Sequence, residues 1–423
     1  MLDIKFIRDN VDLIKENCKK RRVKVDIDKI IEFDKKKREQ TQIIEELRAE
    51  KNKKSKGKPS ASEIAAMKRL GERVKDLEQN LTKIERELTY LLLQMPNLTH
   101  QDSPVGGEED FKVIYTNREP EPFEFVPKDH EELMTKLDLI DFERGAKVAG
   151  AKFYFYKNDM VRLNHALICY GMDIMEKHGY KFMETPDMVK NEILDGSGFN
   201  PRGVESQIYE IKDAGLSLIG TAEITALGYH SNEVLDLKNR PIKYAALSHS
   251  FRTEAGAYGR TSKGLYRVHQ FTKLEMFIFC KPEESEKLHE ELLDIEEEIV
   301  DGLELPYRVI EIASGDLGGP AYRKYDIEAR MVMKGNPKAK DETKFGDYGE
   351  ITSTSNCTDY QARRLNIKYR RQDGMLDFVH TLNGTAVVLS RFPLAIIENH
   401  QQEDGSIRIP KILQKYFGKE LIK

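Results

Sequence analysis

From Met67 the apolar residues recur at Met67, Leu70, Val74, Leu77, Leu81, Ile84, Leu88 and Leu91, in alternating steps of three and four. A heptad stripe of this length commits the segment to a helix whose seam must lie on another helix. The partner stands upstream, where Ile30, Phe33, Ile44 and Leu47 recur at compatible spacing, with Lys37 and Gln40 interrupting the stripe. Between the two, KNKKSKGKPSAS contains Gly57 and Pro59 and marks the turn of a helical hairpin. Two antiparallel helices of about 30 residues, at ~1.5 Å per residue, predict a rod about 45 Å long and too thin to own a core.

The tip of this rod carries Lys51, Lys53, Lys54, Lys56 and Lys58, and a second basic cluster, Lys19, Lys20, Arg21, Arg22 and Lys24, stands near its other end. A lysine run is ordinarily a solvated surface. On a long arm it also suits a grip on nucleic-acid phosphates, which needs charge but no base-reading geometry. The whole chain has 68 basic and 72 acidic residues, so such a grip must be local.

At 423 residues the chain calls for at least two domains. The stretch from Pro96 to Pro127 is rich in Pro, Gly and acids and lacks periodicity, placing an arm over 1–105 and a larger domain over 106–423. From His130 onward, helical patterns such as LNHALICYGMDIMEKHGY alternate with strand-like runs such as YKFMETP, KYAALS, LEMFIFC, YRVIEIA and TAVVLS. Few crossover helices separate them, which predicts an α+β domain with a mostly antiparallel sheet flanked by helices. No GxxxxGK[ST] loop or dinucleotide fingerprint is present, so bound phosphates would have to meet side chains. Cys18, Cys169, Cys280 and Cys357 are too dispersed for a disulfide framework or a Cys-x-x-Cys metal site. With no secretory leader and no run of ~20 apolar residues, a cytosolic protein without membrane contact is expected.

The segment Phe251–Phe277, FRTEAGAYGRTSKGLYRVHQFTKLEMF, sets two arginines and two glutamates around a Gly/Ser/Thr turn between alternating strands. Side-chain period two puts Arg252 with Glu254, and Phe271 with Lys273 and Glu275, on shared faces. A salt-bridged sheet edge would have the same composition. The order FRxE, loop, RxHQFxxxE nevertheless resembles motif 2 of the class II aminoacyl-tRNA synthetases, in the extended form of the seryl-tRNA synthetases. GYKFMETPDMV, Gly179–Val189, is similar to motif 1, the Thr221–Glu223 segment resembles the family's TAE element, and the N-terminal arm, from MLDIKFIRDNVDLIKENCKKR onward, resembles the domain that holds the long variable arm of serine tRNA.

The resemblance implies a class II catalytic domain that joins serine to ATP and then to tRNA(Ser), and to tRNA(Sec) where it exists, as a homodimer. It assigns Arg252 to the serine carboxylate and the α-phosphate, Glu254, Arg267, Val268 and Phe271 to ATP, and Arg391 of motif 3 to adenine or the γ-phosphate. Thr221, Glu223, Glu275, Asn383 and Thr385 are implied around serine, with Arg252, Glu275 and Arg391 carrying the chemistry. GEITSTSNC, Gly349–Cys357, resembles the segment whose Glu350 and Ser353 would ligate Mg2+ bridging the phosphates. Ala386 and Ser390 stand where relatives have glycines, Arg330 where they have tryptophan, and 334–344 reads as a lysine-rich insertion. A catalytically silent RNA-binding paralogue and an amino acid:carrier protein ligase are the competing readings. The first should lose charged ATP-site residues, and known relatives of the second lack the arm.

Overall fold

The computed structural model describes residues 1–55, 60–199, 207–254, 263–334 and 346–423. It forms two compact units, Met1–Leu98 and Thr99–Lys423.

In the first unit, α1 (Ile4–Asp9) and α2 (Val11–Lys20) precede the long helices α3 (Ile27–Lys54) and α4 (Ala61–Gln94). Cross-contacts fix the pair as antiparallel, since Lys37 meets Glu85 at 3.0 Å while Arg48, further along α3, meets Glu78 at 2.7 Å. Ile44, Leu47 and Val74 are buried along the seam with Leu70, Leu77 and Leu81 against them. Gln40, which broke the apolar stripe, is itself in the seam. Its Nε2 donates to Leu77 O at 2.7 Å and its Oε1 accepts from Asn80 Nδ2 at 3.0 Å, so the interruption is a satisfied polar pin.

The expectation of an arm without a core fails at the base. There α1 and α2 close Ile7, Ile14 and Cys18 over Ile30, Leu88, Leu91 and Met95. Nearby, the buried Asp34 carboxylate receives Arg8 Nη1 at 2.9 Å and Arg38 Nε at 3.0 Å, pairing the charge that burial would otherwise penalise. Lys51, Lys53 and Lys54 are exposed in the last turn of α3, where the helix dipole favours cations; Lys56 and Lys58 lie outside the described residues. Arg21 is buried at the end of α2.

The second unit begins where the chain is fastened to it: His100 N donates to Tyr322 O at 3.0 Å and Ser314 N to Pro104 O at 2.8 Å. Its sheet contains β1 (Lys112–Thr116), β2 (Lys181–Glu184), β3 (Ile242–Phe251), β4 (Gln270–Cys280), β5 (Tyr307–Glu311), β6 (Arg323–Met331), β7 (Asp347–Asn356) and β8 (His380–Val388), in the order β1-β5-β6-β7-β8-β4-β3-β2. Only β2 and β3 run parallel; the other neighbours are antiparallel. Edge strand β1 falls in the stretch that showed no periodicity. All five of its residues are exposed, so no alternation marked it.

Helices cover both faces, which is why MFIFC, the end of β4, reads as a continuous apolar run. Leu274, Met276 and Ile278 join one core with Leu292, Ile295 and Ile299 of α7 (Ser285–Gly302) and with Leu163, Leu167 and Tyr170 of α5 (Asp159–Lys177). Phe277 and Phe279 join another with Ala222 and Ala226 of α6 (Ala222–Tyr229). Near the centre β7 and β8 bracket the cavity described below, and α8 (Arg391–Asn399) follows β8 directly. No helix among the described residues is long and apolar enough to cross a membrane.

Candidate active site

The strands β3 and β4 pair from Phe279↔Ile242 to Gln270↔Phe251, and Arg252 N continues the register by donating to His269 O at 2.9 Å. This hairpin floors a cavity of about 300 Å³. Thr221, Glu223, Arg252, Glu254, Arg267, Val268, Phe271, Glu275, Glu350, Ser353, Asn383, Thr385 and Arg391 all line it. Lys273, expected on the face of Phe271 and Glu275, lines it as well; the sequence reading missed Phe199, Tyr266, Lys324 and Cys357, which also do.

At one end, Glu275 is 2% exposed; its Oε2 accepts from Thr221 Oγ1 and pairs with Lys273 Nζ. Thr221 also caps α6, accepting from Glu223 N at 3.4 Å, so the helix-cap and pocket readings of TAE coexist in one side chain. Glu223 is bonded by Gln361 Nε2, and Gln361 is itself held by Ser197 O at 3.0 Å and Thr381 Oγ1 at 2.7 Å. Burial, reinforced by the neighbouring Glu275 carboxylate, pushes the Glu223 carboxyl up to about 7. Asn383 and Thr385 approach from β8; Asn383 Nδ2 lies 3.8 Å from Cys357 Sγ.

The other end collects cations. The Arg252 guanidinium sits 5.3 Å from the Phe271 ring centroid and 6.0 Å from that of Phe199, and its Nε donates to Gly220 O at 3.2 Å. Burial, with the neighbouring Arg391, lowers its pKa. Arg391 lies 5.0 Å from the Tyr266 ring centroid and binds Glu350 Oε1 at 2.7 Å. Burial opposes ionisation of Glu350, but Arg391 and Lys324 outweigh it and hold the carboxyl well below its usual range. Glu254 has φ of 51°, uncommon for a residue with a side chain, and its Oε2 meets Arg267 Nη1 at 3.4 Å. Of the lysine-rich stretch, Lys334 is described, its Nζ 4.8 Å from the Tyr266 ring centroid, while 335–345 lie outside the described residues.

The residues assigned to Mg2+ fit a hard cation by their chemistry. Glu350 is ionised, Ser353 faces the same cavity, and Asp326, paired with Ser353 across β6 and β7, keeps a buried Oδ1 with no hydrogen-bond partner among the described residues.

A buried pair behind this end anchors its walls. Glu398 of α8 and His130 are both wholly buried, with His130 Nδ1 2.7 Å from Glu398 Oε1. His130 Nε2 accepts from Leu265 N at 3.1 Å, and Glu398 Oε2 accepts from Met333 N at 3.1 Å. The pair thus ties the backbone at Leu265 and at Met333 to the helix that carries Arg391. Glu398→Ala strands three donors, His130 N and Nδ1 and Met333 N, and is expected to lower unfolding free energy by about 3 kcal/mol, measured as a fall in urea midpoint at unchanged slope.

A larger cleft of about 580 Å³, around Arg118, Arg330 and Arg408, contains none of the expected residues. All of the expected residues line the smaller cavity instead.

Residues 1–99 match the seryl-tRNA synthetase N-terminal domain, and residues 209–400 match the tRNA synthetase class II core domain (G, H, P, S and T). The serine–tRNA ligase of Treponema denticola is 49% identical over 427 residues, covering 99% of each chain. That of Dictyoglomus turgidum is 49% identical over 428 residues, covering 99% of this chain and 98% of its own. The crystal structure of seryl-tRNA synthetase from Pyrococcus horikoshii complexed with ATP superposes with a TM-score of 0.89 at 39% identity, over 100% of this chain and 99% of that one. Both domain types in the same order, and 49% identity sustained from end to end, establish that the chain belongs to the seryl-tRNA synthetase family.

Proposed function

We propose that this chain activates serine with ATP to seryl-adenylate and diphosphate, then transfers the seryl group to the 3′ end of tRNA(Ser). The observation that carries this reading is one cavity that gathers two sets of groups: Glu275 with Thr221 and Glu223 on one side, and the guanidinium groups of Arg252, Arg267 and Arg391, with Glu254 and Glu350 among them, on the other. Serine's ammonium and hydroxyl suit the first. Its carboxylate and the α-phosphate suit the second, where a rigid guanidinium can span two anions. A carboxylate oxygen of serine attacks the α-phosphorus, the bond to the bridging oxygen of diphosphate breaks, and its electron pair leaves with diphosphate. No general base is needed, because the nucleophile is already ionised.

Arg391, Arg267 and Lys324 supply positive charge along the phosphates, and Phe271 an aromatic face for adenine. Mg2+ held by Glu350 and Ser353 would neutralise developing charge on the phosphates. The Pyrococcus horikoshii structure is a complex with ATP, and that of the Naegleria fowleri cytoplasmic ligase, 31% identical with a TM-score of 0.86, is a complex with AMP; both support a nucleotide here. The exposed lysines at the end of α3 support a grip on the variable arm of tRNA(Ser), and tRNA(Sec) would be a second acceptor where it exists. Exposed Phe182 in edge strand β2, and Met188 just after it, support a homodimer through motif 1. Four free cysteines support a cytosolic location.

The test is exchange of pyrophosphate into ATP with serine, threonine, alanine, glycine and cysteine in turn, without tRNA. Exchange with serine alone is expected; none with any of them, in folded protein, would move the assignment to a silent RNA-binding paralogue.

The raised pKa of Glu223 predicts a pH dependence. Below about 7 the free enzyme holds a proton on this carboxyl that the serine ammonium must displace, whereas above it the site is ready. Between pH 8 and pH 6 the serine KM is expected to rise about tenfold, following the ionised fraction of one group near 7. A Glu223→Gln profile should be flat over that window.

A further inference from the structure

The cavity exists because two neighbouring strands part. The register of β7 with β8 runs from Asn356↔Leu382 to Thr354↔Gly384. Beyond that point each strand carries an irregularity against its other neighbour: β8 where Glu275↔Thr385 gives way to Leu274↔Val387, and β7 where Ile327↔Thr352 gives way to Glu328↔Glu350. Bulges of this kind end pairing and re-aim side chains beside active sites. Beside this parting, Thr385 N donates to a side chain.

Glu296 meets that donor. It stands on α7, among residues packed on the face of the sheet opposite the cavity, and is 0% exposed. Its Oε1 accepts from Thr385 N at 2.8 Å, and its Oε2 lies in hydrogen-bond contact, 2.7 Å, with Thr352 Oγ1. Gly384 makes room: a Cβ there would lie 3.1 Å from Glu296 Oε1 and 3.3 Å from Thr354 Oγ1. Thr385 lines the cavity, and Thr352 directly precedes Ser353, which lines it too.

We propose that Glu296 is a positioning residue for the serine end of the site: its carboxyl group, inserted between β7 and β8 from behind, holds Thr352 and Thr385 at the separation that aims Thr385 at the serine. It touches no reacting atom. Burial, with Asp326 and Glu275 nearby, pushes its carboxyl well above the ordinary range, which removes the penalty of an unpaired buried charge and leaves hydrogen bonding as its role. An amide should therefore substitute, since glutamine can accept from Thr385 N and donate to Thr352 Oγ1.

The inference rests on the serine reading of the cavity, and pyrophosphate exchange separates the two: wild-type enzyme inactive with serine would sink that reading, whereas the variants below test Glu296. For Glu296→Leu the serine KM is expected to rise at least tenfold with the ATP KM within twofold, and Glu296→Gln should restore the wild-type serine KM. Thr352→Val, which removes one bond of the two and no carboxyl, should raise the serine KM severalfold and decides the matter if Glu296→Leu fails to fold. An unchanged serine KM in folded Glu296→Leu or in Thr352→Val overturns the proposal. So do equal rises in both KM values, or a glutamine variant as impaired as leucine.

Discussion

Arg252→Ala is expected to lower kcat/KM for serine-dependent pyrophosphate exchange by about a thousandfold, the upper range for removing one preorganised donor from developing charge. The guanidinium is seated before any substrate arrives, between two aromatic rings and hydrogen-bonded to Gly220 O. Burial beside a second guanidinium, Arg391, is uncomfortable for it, and an anion would relieve that discomfort. Lysine should not rescue, because an ammonium cannot span a carboxylate and a phosphate through one rigid fork. Steady-state exchange on protein shown to be folded by circular dichroism checks this. Activity within tenfold of wild type would remove Arg252 from the transition state.

Glu275→Ala should abolish serine use by a factor of about ten thousand, the penalty when a site built to hydrogen-bond its substrate is left unpaired. Two effects add. The pocket loses its acceptor for serine, and Lys273, 6% exposed and paired with Glu275, is left a buried cation without that partner. Nucleotide binding, at the other end of the cavity, should survive, so calorimetric titration with ATP alongside exchange distinguishes loss of the serine pocket from loss of the fold. Unchanged serine use by this variant would remove Glu275 from the site.

Much of this was legible in the chain before any coordinates. The antiparallel rod followed from an unbroken heptad stripe, and the central strands from short apolar runs; both are local patterns. The residues expected around the substrates come from four separate segments, and the structure brings all four to one cavity. What was missed is long-range and polar. Glu296 meets Thr385 across 89 positions, His130 meets Glu398 across 268, and Gln361 meets Glu223 across 138. In the sequence Glu296 is one of three consecutive glutamates on an amphipathic helix, and nothing local says which of them turns inward. Edge strand β1 escaped because an exposed strand leaves no hydrophobic alternation. The core at the base of the arm escaped because it is assembled from four helices, two of them short.

The amide pin between Gln40 and Asn80 turns the arm into a measuring stick. A slip of one heptad along an all-apolar seam would exchange one leucine for another at little cost, but here it would leave the buried Gln40 amide facing hydrocarbon without Leu77 O and Asn80. The lysines at the end of α3 are therefore held at a calibrated span from the base of the arm. Adding one heptad to each helix beyond the pin would move that graduation outward by about 10 Å without touching the base. Reach, in this fold, is a quantity that can be edited separately from grip.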